Sequence, residues 1–421
     1  AAEPGGARAR RGAGAPPAFP VRIEGAWYDL SQWRARHPAG AHFIDFYKGE
    51  DATEVLYAFH GESIRRFLGR LPRLDPAAAA ALEAAAPEAS AAARAFRGLR
   101  RRLQAEGWWD RDLAQEAHWL GIWALLFGAG LALAHVPGWG PWLAVPPLAL
   151  ATVSAAWLGH DYAHGVDDFS RGMGLFAPLA IGISPSWWCD KHYKHHALTN
   201  QMGADPDLAM PPLFVWPPHP EDDSPFRASQ HRWFPLGCAT VFLAWRLRSL
   251  LHVAAGLRDD RRGAAVEAAA LAAHWMVLLA NVPLAAIVAS IALAGLLCAT
   301  ILTTSHLGEE LYGEFQRDWV LAQFCSTRGA VTRSAFTEWL WGGMQYHLEH
   351  HLFPSMPRSR YPRLRVVLQE FAADIGVPGG YRADDEVAML ARTWERLRAV
   401  ARTPGGGPSA PRLRDGVRPT G

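Results

Sequence analysis

Three short histidine-rich stretches, His160–His164 (HDYAH), His192–His196 (HYKHH) and His347–His351 (HLEHH), carry the strongest structural signal in this chain. Residues three or four positions apart share one face of a helix, so each stretch can direct its imidazoles towards a single point. Neutral imidazole is a common ligand of iron, copper and zinc. The three stretches hold eight histidines, more than one metal ion can use, and they therefore predict a site for two metal ions.

Apolar segments beside these stretches are long enough to cross a bilayer, which takes about 20 residues per helix. The predicted spans lie at about 117–136, 141–160, 264–282 and 284–305. The short turns inside each pair of spans carry no charged residue, whereas the regions before, between and after the pairs contain arginines. By the positive-inside rule, those regions and both chain termini face the cytosol.

This topology brings the histidines to a common level. His160 and His164 fall at the cytosolic end of the second span, and the other two stretches fall in cytosolic regions. His306 falls at the cytosolic end of the fourth span and becomes a ninth candidate ligand, with a structural role as its alternative. A metal site just outside the hydrocarbon could reach an acyl chain that rises from the bilayer.

The N-terminal region contains two further histidines with a distinct setting. His37 opens the turn sequence His-Pro-Ala-Gly, and His60 follows the apolar segment Val55-Leu-Tyr-Ala-Phe59. Two histidines placed in this way could hold a haem from both sides, and a haem with two axial imidazoles transfers electrons because it has no open position for oxygen. The alternative for His37 is a capping or packing role.

This N-terminal segment resembles the cytochrome b5 family, whose first axial ligand lies in a His-Pro-Gly-Gly turn. The resemblance implies that His37 and His60 bind haem b. Ala39 replaces the first glycine of the turn, a departure that leaves the ligand itself intact.

The histidine stretches resemble the membrane fatty-acid desaturase and hydroxylase superfamily over residues of about 110–380. Supporting motifs are His195–Asn200 (HHALTN), Asp205-Pro-Asp207 and His350–Pro354 (HHLFP). The resemblance implies two iron ions held by nine histidines: His160, His164, His192, His195, His196, His306, His347, His350 and His351. No catalytic residue beyond these metal ligands is implied. Carboxylates that could orient the rings are Asp161, Asp190, Asp205, Asp207 and Glu349.

An N-terminal cytochrome b5 module on this scaffold is the layout of front-end and sphingolipid desaturases. Front-end members usually carry glutamine where this chain has His347. The predicted fold is an α+β cytochrome b5-like haem domain, followed by an all-α polytopic membrane domain with four transmembrane helices and a cytosolic histidine-rich di-iron cap. The predicted boundaries are a disordered tail at 1–19, the haem domain at 20–95, the desaturase domain at 110–380 and a disordered tail at 403–421.

The resemblance implies oxygen-dependent desaturation of long-chain fatty-acyl substrates, polyunsaturated and of the front-end type, with electrons from the fused haem domain. The implied partners are a membrane lipid or acyl-CoA, O₂ and a separate NADH-cytochrome b5 reductase, since the chain lacks a glycine-rich dinucleotide loop. The expected location is the endoplasmic reticulum membrane, with the active site in the cytosol; a plastid membrane is the alternative.

Other functions stay open on the sequence alone. An acyl or sphingolipid hydroxylase, or a sphingolipid desaturase, would use the same scaffold, and a non-catalytic membrane haem protein would need only the N-terminal module. A zinc hydrolase fits less well, because zinc usually takes four ligands. The net charge of +2 gives no indication of nucleic-acid binding, and the four cysteines, without CxxC spacing, indicate no disulfide framework.

Overall fold

The computed structural model describes residues 18–208, 214, 226–259 and 261–402. The predicted tails, 1–19 and 403–421, lie almost entirely outside these residues. The chain divides into two compact units, one formed by Ala1–Thr53 with Ser63–Glu88 and the other by Glu54–Glu62 with Ala89–Gly421.

The described residues form four short strands and a long series of helices. The strands are β1 (Pro20–Ile23), β2 (Ala26–Asp29), β3 (Gly329–Val331) and β4 (Ala383–Asp385). The helices are α1 (His42–Asp45), α2 (Thr53–Phe59), α3 (Ile64–Leu68), α4 (Pro76–Ala85), α5 (Ala91–Ala105), α6 (Leu113–Ala134), α7 (Gly140–Leu143), α8 (Val145–His164), α9 (Asp168–Gly172), α10 (Phe176–Ala180), α11 (Pro185–Ala197), α12 (Gln230–Arg258), α13 (Arg262–Asn281), α14 (Leu284–Thr304), α15 (Trp319–Ser326), α16 (Ala335–Trp341), α17 (His347–Leu352), α18 (Tyr361–Asp374) and α19 (Glu386–Arg402).

The first unit combines a β-hairpin with short helices. β1 pairs antiparallel with β2, and Glu24 and Gly25 join them with positive φ angles of 50° and 75°, the conformation of a tight two-residue turn. The Trp27 indole nitrogen donates a hydrogen bond to Glu83 at 2.8 Å and so ties β2 to α4. This arrangement confirms the α+β character predicted for the N-terminal module.

Among its described residues, the second unit contains four helical segments that are long and apolar enough to cross a membrane. They are Leu113–Ala134, Gly140–His164, Arg262–Asn281 and Leu284–Thr304, and they confirm the four predicted spans. The first two pack closely where Gly130 meets Leu148, because a β-carbon at Gly130 would lie 2.6 Å from the leucine side chain. The second unit differs slightly from the predicted all-α membrane domain, because β3 and β4 form a short parallel pair.

The helix α12 packs along α14 and carries an apolar outer face. Its Phe242 is buried, and Gly295 of α14 allows the close approach, since a β-carbon there would lie 3.0 Å from two backbone oxygens of α12. Leu236 and Leu251 point outward and are 68% and 61% exposed. These exposed leucines of α12 suit contact with a membrane.

A buried ion-pair network holds the end of α8 in place. Arg111, which precedes α6, donates to Glu116 at 2.6 Å, to Asp161 at 2.8 Å and to Asp167 at 3.0 Å, and its side chain is 5% exposed. Asp161 also accepts the backbone N–H of Arg358 at 3.3 Å. The network therefore links the segment before the first span to the last turn of the second.

We expect Arg111→Met to lower the free energy of unfolding by about 3–5 kcal/mol, because it leaves two buried carboxylates, Glu116 and Asp161, without their cation. The thermal unfolding midpoint of the detergent-purified protein measures the effect. Arg102→Met is the control, since Arg102 is exposed and lies 3.8 Å from Glu106; it should change stability by less than about 0.5 kcal/mol. Equal midpoints for the two variants would contradict a structural role for the network.

Candidate metal centre

Eight of the nine predicted histidines lie on three helices, and His306 follows the end of α14. His160 and His164 occupy the last turn of α8, four residues apart and therefore on one side of the helix. The second stretch belongs to α11, whose start is fixed by Pro185 in the first turn and by the Ser184 hydroxyl, which accepts the backbone N–H of Trp187 at 3.1 Å. The third stretch forms α17.

Five of these histidines form a compact cluster in which one nitrogen of each ring lies within 4.8 Å of the others. This first group consists of His160, His164, His192, His196 and His350. The Nε2 atom of His192 lies 2.7 Å from that of His160 and 3.0 Å from that of His196. The Nε2 atom of His350 lies 3.0 Å from that of His196, and all five rings are buried.

The remaining four predicted histidines form a second group beside the first. The ring nitrogens of His195, His306 and His351 lie within 4.8 Å of one another. His347 completes the group, since its Nε2 atom lies 2.9 Å from the Nε2 atom of His306, which is itself 3.2 Å from that of His195. The structure thus brings together all nine predicted ligands, including the isolated His306.

Hydrogen bonds fix the tautomers of two rings in the second group. His306 Nδ1 lies 2.9 Å from the Ser326 carbonyl, and His351 Nδ1 lies 2.9 Å from the side-chain oxygen of Gln323, whose amide nitrogen donates to the His196 carbonyl. Because oxygen acceptors need a proton on Nδ1, each lone pair is on Nε2.

Burial keeps these two rings neutral. It lowers the pKa of His306 to about 3 and the pKa of His351 well below its ordinary value. The Nε2 atom of His306 faces those of His195 and His347, and the Nε2 atom of His351 has no hydrogen-bond partner among the residues that the structure describes. Several buried lone pairs directed at one point suit a metal cation, so the donor set fits the predicted metals.

A carboxylate orients the ring of His195, another member of the second group. Asp205 has no exposed side-chain surface, accepts His195 Nδ1 at 2.9 Å and also accepts the backbone N–H of Asn200 at 2.8 Å. Asn200 adopts a positive φ of 57° and donates its amide to the His306 and Glu310 carbonyls at 3.1 and 3.0 Å. The segment that follows the second histidine stretch thus positions rings from two different elements.

The other carboxylates in the sequence prediction make different contacts. Asp207 lies 3.5 Å from His195 Nδ1, but Asp161 accepts from Arg111, Asp190 from Lys194 and Glu349 from Tyr381. Sequence reasoning missed Gln323 and Ser326, which hold His351 and His306. Both lie in α15, where no motif distinguishes them from ordinary polar residues.

The two predicted haem ligands fall in different compact units. His37 Nδ1 lies 3.2 Å from the Gly40 carbonyl, and His60 Nδ1 lies 3.0 Å from the Leu56 carbonyl. Both contacts place the ligating lone pair on Nε2, which fits an axial role, and burial lowers the pKa of His60. Gly40 needs to be glycine, because its φ is +101° and a β-carbon there would meet the His42 ring at 2.7 Å.

Comparison with known proteins identifies the family. The family model described as fatty acid desaturase matches residues 137–382, which is more than half of the chain. The chain is a member of the fatty acid desaturase family. A second family model, the cytochrome b5-like haem/steroid binding domain, matches residues 20–74, so this desaturase carries a fused cytochrome b5 domain.

Similar curated proteins align with most of this chain. The Delta(6)-fatty-acid desaturase fat-3 of Caenorhabditis elegans is 28% identical over 90% of this chain and 96% of its own length. Fatty acid desaturase 3 of Homo sapiens is 28% identical over 84% of each chain, and the Delta(8)-fatty-acid desaturase of Euglena gracilis is 25% identical over 85% of this chain and 90% of its own. The desaturase is therefore an oxidoreductase, as predicted. Its apolar helices indicate an integral membrane protein.

Two apolar cavities adjoin the histidines of the desaturase. The first cavity, of about 90 Å³, is lined by His192, His195, His306 and His347 together with side chains of α12 and α14. The second cavity, of about 280 Å³, contains His160 in its lining and extends between α8 and α10. The linings of both cavities are mainly hydrocarbon, which suits a lipid substrate beside the histidine groups.

We expect Asp205→Asn to reduce the iron affinity of the desaturase about 10- to 100-fold, because the neutral amide holds His195 less firmly in its ligating tautomer. Competition with a chelator, followed by iron analysis, measures the loss. Asp207→Asn is the matched control, since Asp207 is half-exposed and lies farther from the same ring. Equal losses in both variants would contradict a specific role for Asp205.

Proposed function

We propose that this desaturase introduces a double bond into a long-chain, polyunsaturated fatty-acyl substrate of the front-end type at a two-iron centre. The observation that carries the proposal is the pair of histidine groups, in which nine rings converge beside two apolar cavities. The first group would hold one iron ion and the second group the other. Relatives named as Delta(6) and Delta(8) desaturases support the front-end assignment.

Iron supplies a reaction that side chains cannot perform. When bound, two iron ions and O₂ provide the redox chemistry that removes hydrogen from two neighbouring unactivated methylene groups. The protein orients the imidazoles through Asp205, Gln323 and Ser326 and keeps eight of the nine rings buried. Its apolar cavities hold the acyl chain away from water beside those rings.

Electrons would come from a haem held by His37 and His60 and ultimately from a separate NADH-cytochrome b5 reductase. Phe59, which precedes His60 in the chain, supports this role of the fused domain. Its ring centroid lies 5.1 Å from that of Tyr193 and 6.3 Å from that of His196, a member of the first group. The residue next to one predicted haem ligand therefore contacts a predicted metal ligand within one compact unit.

Charge placement supports an orientation for the proposed enzyme. The arginine-rich regions outside the two pairs of spans would face the cytosol, with both termini and the histidine groups on that side. The endoplasmic reticulum membrane is the proposed location, with the separate reductase and the acyl substrate as partners; a plastid membrane is the alternative.

His347 provides a test of the ligand set, because front-end desaturases usually carry glutamine at its position. Its Nε2 atom lies 2.9 Å from that of His306. We expect His347→Gln to retain iron and part of the activity, since an amide oxygen can still coordinate, whereas His347→Ala loses both. Iron content and product yield measured on both variants distinguish them. An alanine variant with the iron content of the wild-type protein would remove His347 from the ligand set.

Expression of the full chain in yeast tests the proposed reaction. Cultures receive saturated, monounsaturated and polyunsaturated fatty acids, and lipid mass spectrometry locates any new double bond. A new double bond between an existing one and the carboxyl end is the expected product. A hydroxylated acyl chain would instead identify a hydroxylase, and the absence of any oxidised lipid from protein that contains both iron and haem would overturn the proposal.

A further inference from the structure

We propose that two tryptophans, Trp188 and Trp245, together with Leu302 form a partition that sets the length of acyl chain the enzyme accepts. The inference rests on the proposed acyl substrate. Among the described residues, these three line both the first and the second cavity. The partition is therefore the boundary between the two cavities, and an acyl chain that occupies both cavities would pass beside these three side chains.

The partition lies directly against the histidines. The Trp188 ring stacks on His192 with centroids 4.7 Å apart and an interplanar angle of 25°, and its edge approaches His160 at 6.3 Å. The first cavity reaches both histidine groups, while the second reaches His160. The reacting carbons of a chain that passes the partition would consequently lie at the junction of the two cavities, beside the metal centre.

Neighbouring groups hold the two indoles in place. The Trp188 and Trp245 rings lie 4.9 Å apart at 60° to each other, and Trp245 also packs on Phe242 at 5.4 Å. The Lys191 ammonium lies 5.8 Å from the Trp188 ring and 5.4 Å from the Trp245 ring, and it is itself ion-paired with Asp207. Large rings fixed on several sides act as a wall of defined width, since they cannot swing aside without breaking these contacts.

The cavity linings indicate the direction of the chain. The lining of the first cavity includes the charged side chains of Asp207, Glu309 and Arg396. In the described lining of the second cavity, Arg171 is the only Lys, Arg, Asp or Glu residue. The polar end of the substrate would therefore lie on the side of the first cavity. The methyl end would extend past the partition into the larger second cavity, which then measures the carbons beyond the reacting pair.

Opposite changes in the width of the partition should shift chain-length preference in opposite directions. Trp245→Ala opens the wall and should favour acyl chains with more carbons on the methyl side, whereas Leu302→Trp narrows it and should favour shorter ones. One methylene in an apolar pocket changes discrimination by about 10- to 200-fold, so loss of an indole should change the ratio of long to short products by at least about 10-fold.

The product ratio is measured with an equimolar mixture of acyl chains of graded length supplied to the same culture. Trp142→Leu is the matched control, because Trp142 is exposed and lines neither cavity in the described part of the chain. If Trp245→Ala fails to incorporate haem and iron, the milder Trp245→Phe should give a smaller shift in the same direction. Unchanged ratios in both the opened and the narrowed variants would overturn the proposal.

A binding experiment separates this inference from the proposed reaction. A fatty acid with a photoreactive diazirine near its methyl end should label second-cavity residues such as Ile183 or Cys298 in the purified holoenzyme. Labelling there without any desaturated product would contradict the proposed function while supporting the partition. Desaturated product with labelling confined to the first cavity would contradict the partition while supporting the function.

Discussion

Replacing His164 with alanine should abolish formation of the double bond while the haem absorbance of the desaturase stays unchanged. His164 belongs to the first group, is buried, and has an Nε2 atom without a hydrogen-bond partner among the described residues. Its ring centroid lies 4.7 Å from that of His196 and 5.0 Å from those of His192 and His350. Loss of a residue that only orients a ligand costs about 10- to 100-fold, so loss of a ligand should reduce activity by more than about 100-fold.

Iron analysis, the haem spectrum and product yield are measured on the same preparation. His252→Ala is the control, since His252 is half-buried on α12 and belongs to neither histidine group. Iron should decrease in the His164 variant and stay constant in the control. Unchanged product in the His164 variant would remove this residue from the metal site, and purified wild-type protein that contains zinc without iron would contradict the proposed oxygen chemistry.

The histidine groups and the spans could be predicted because each depends on local sequence pattern. A spacing of three or four residues places histidines on one helix face, and the segment 141–160 is apolar enough to cross a bilayer whatever it packs against. His306 had no neighbouring histidine, yet its place at the end of the fourth span brought it to the level of the others, and it lies in the second group.

The sequence included Asp205 among five candidate carboxylates without separating it from the rest, and it missed Gln323 and Ser326, because the contacts that orient the rings depend on how the helices pack. Asp161 and Glu349 stand closer in sequence to histidines than Asp205 does, but Asp161 pairs with Arg111 and Glu349 with Tyr381. Only the packing of the helices distinguishes the three carboxylates. The same reason hides the tryptophan partition, since Trp188 and Trp245 belong to separate helices whose approach no local pattern records.

The haem domain offers the complementary prediction: His60→Ala should remove the haem absorbance and leave the iron content of the metal centre unchanged. His60 donates Nδ1–H to the Leu56 carbonyl, which puts its lone pair on Nε2, and alanine provides no ligand for the haem iron. Desaturation driven by NADH and reductase should fall to background, and an excess of free cytochrome b5 should restore part of it.

The pair of variants then tests the division of labour between the two centres. The His60 variant loses the haem and keeps iron, whereas the His164 variant keeps the haem and loses iron. His118→Ala is the control for the haem measurement, since His118 is exposed on α6. Full NADH-driven activity in a His60 variant that lacks haem would show that electrons reach the metal centre by another route. Retention of the haem spectrum would assign the second axial position to a different residue.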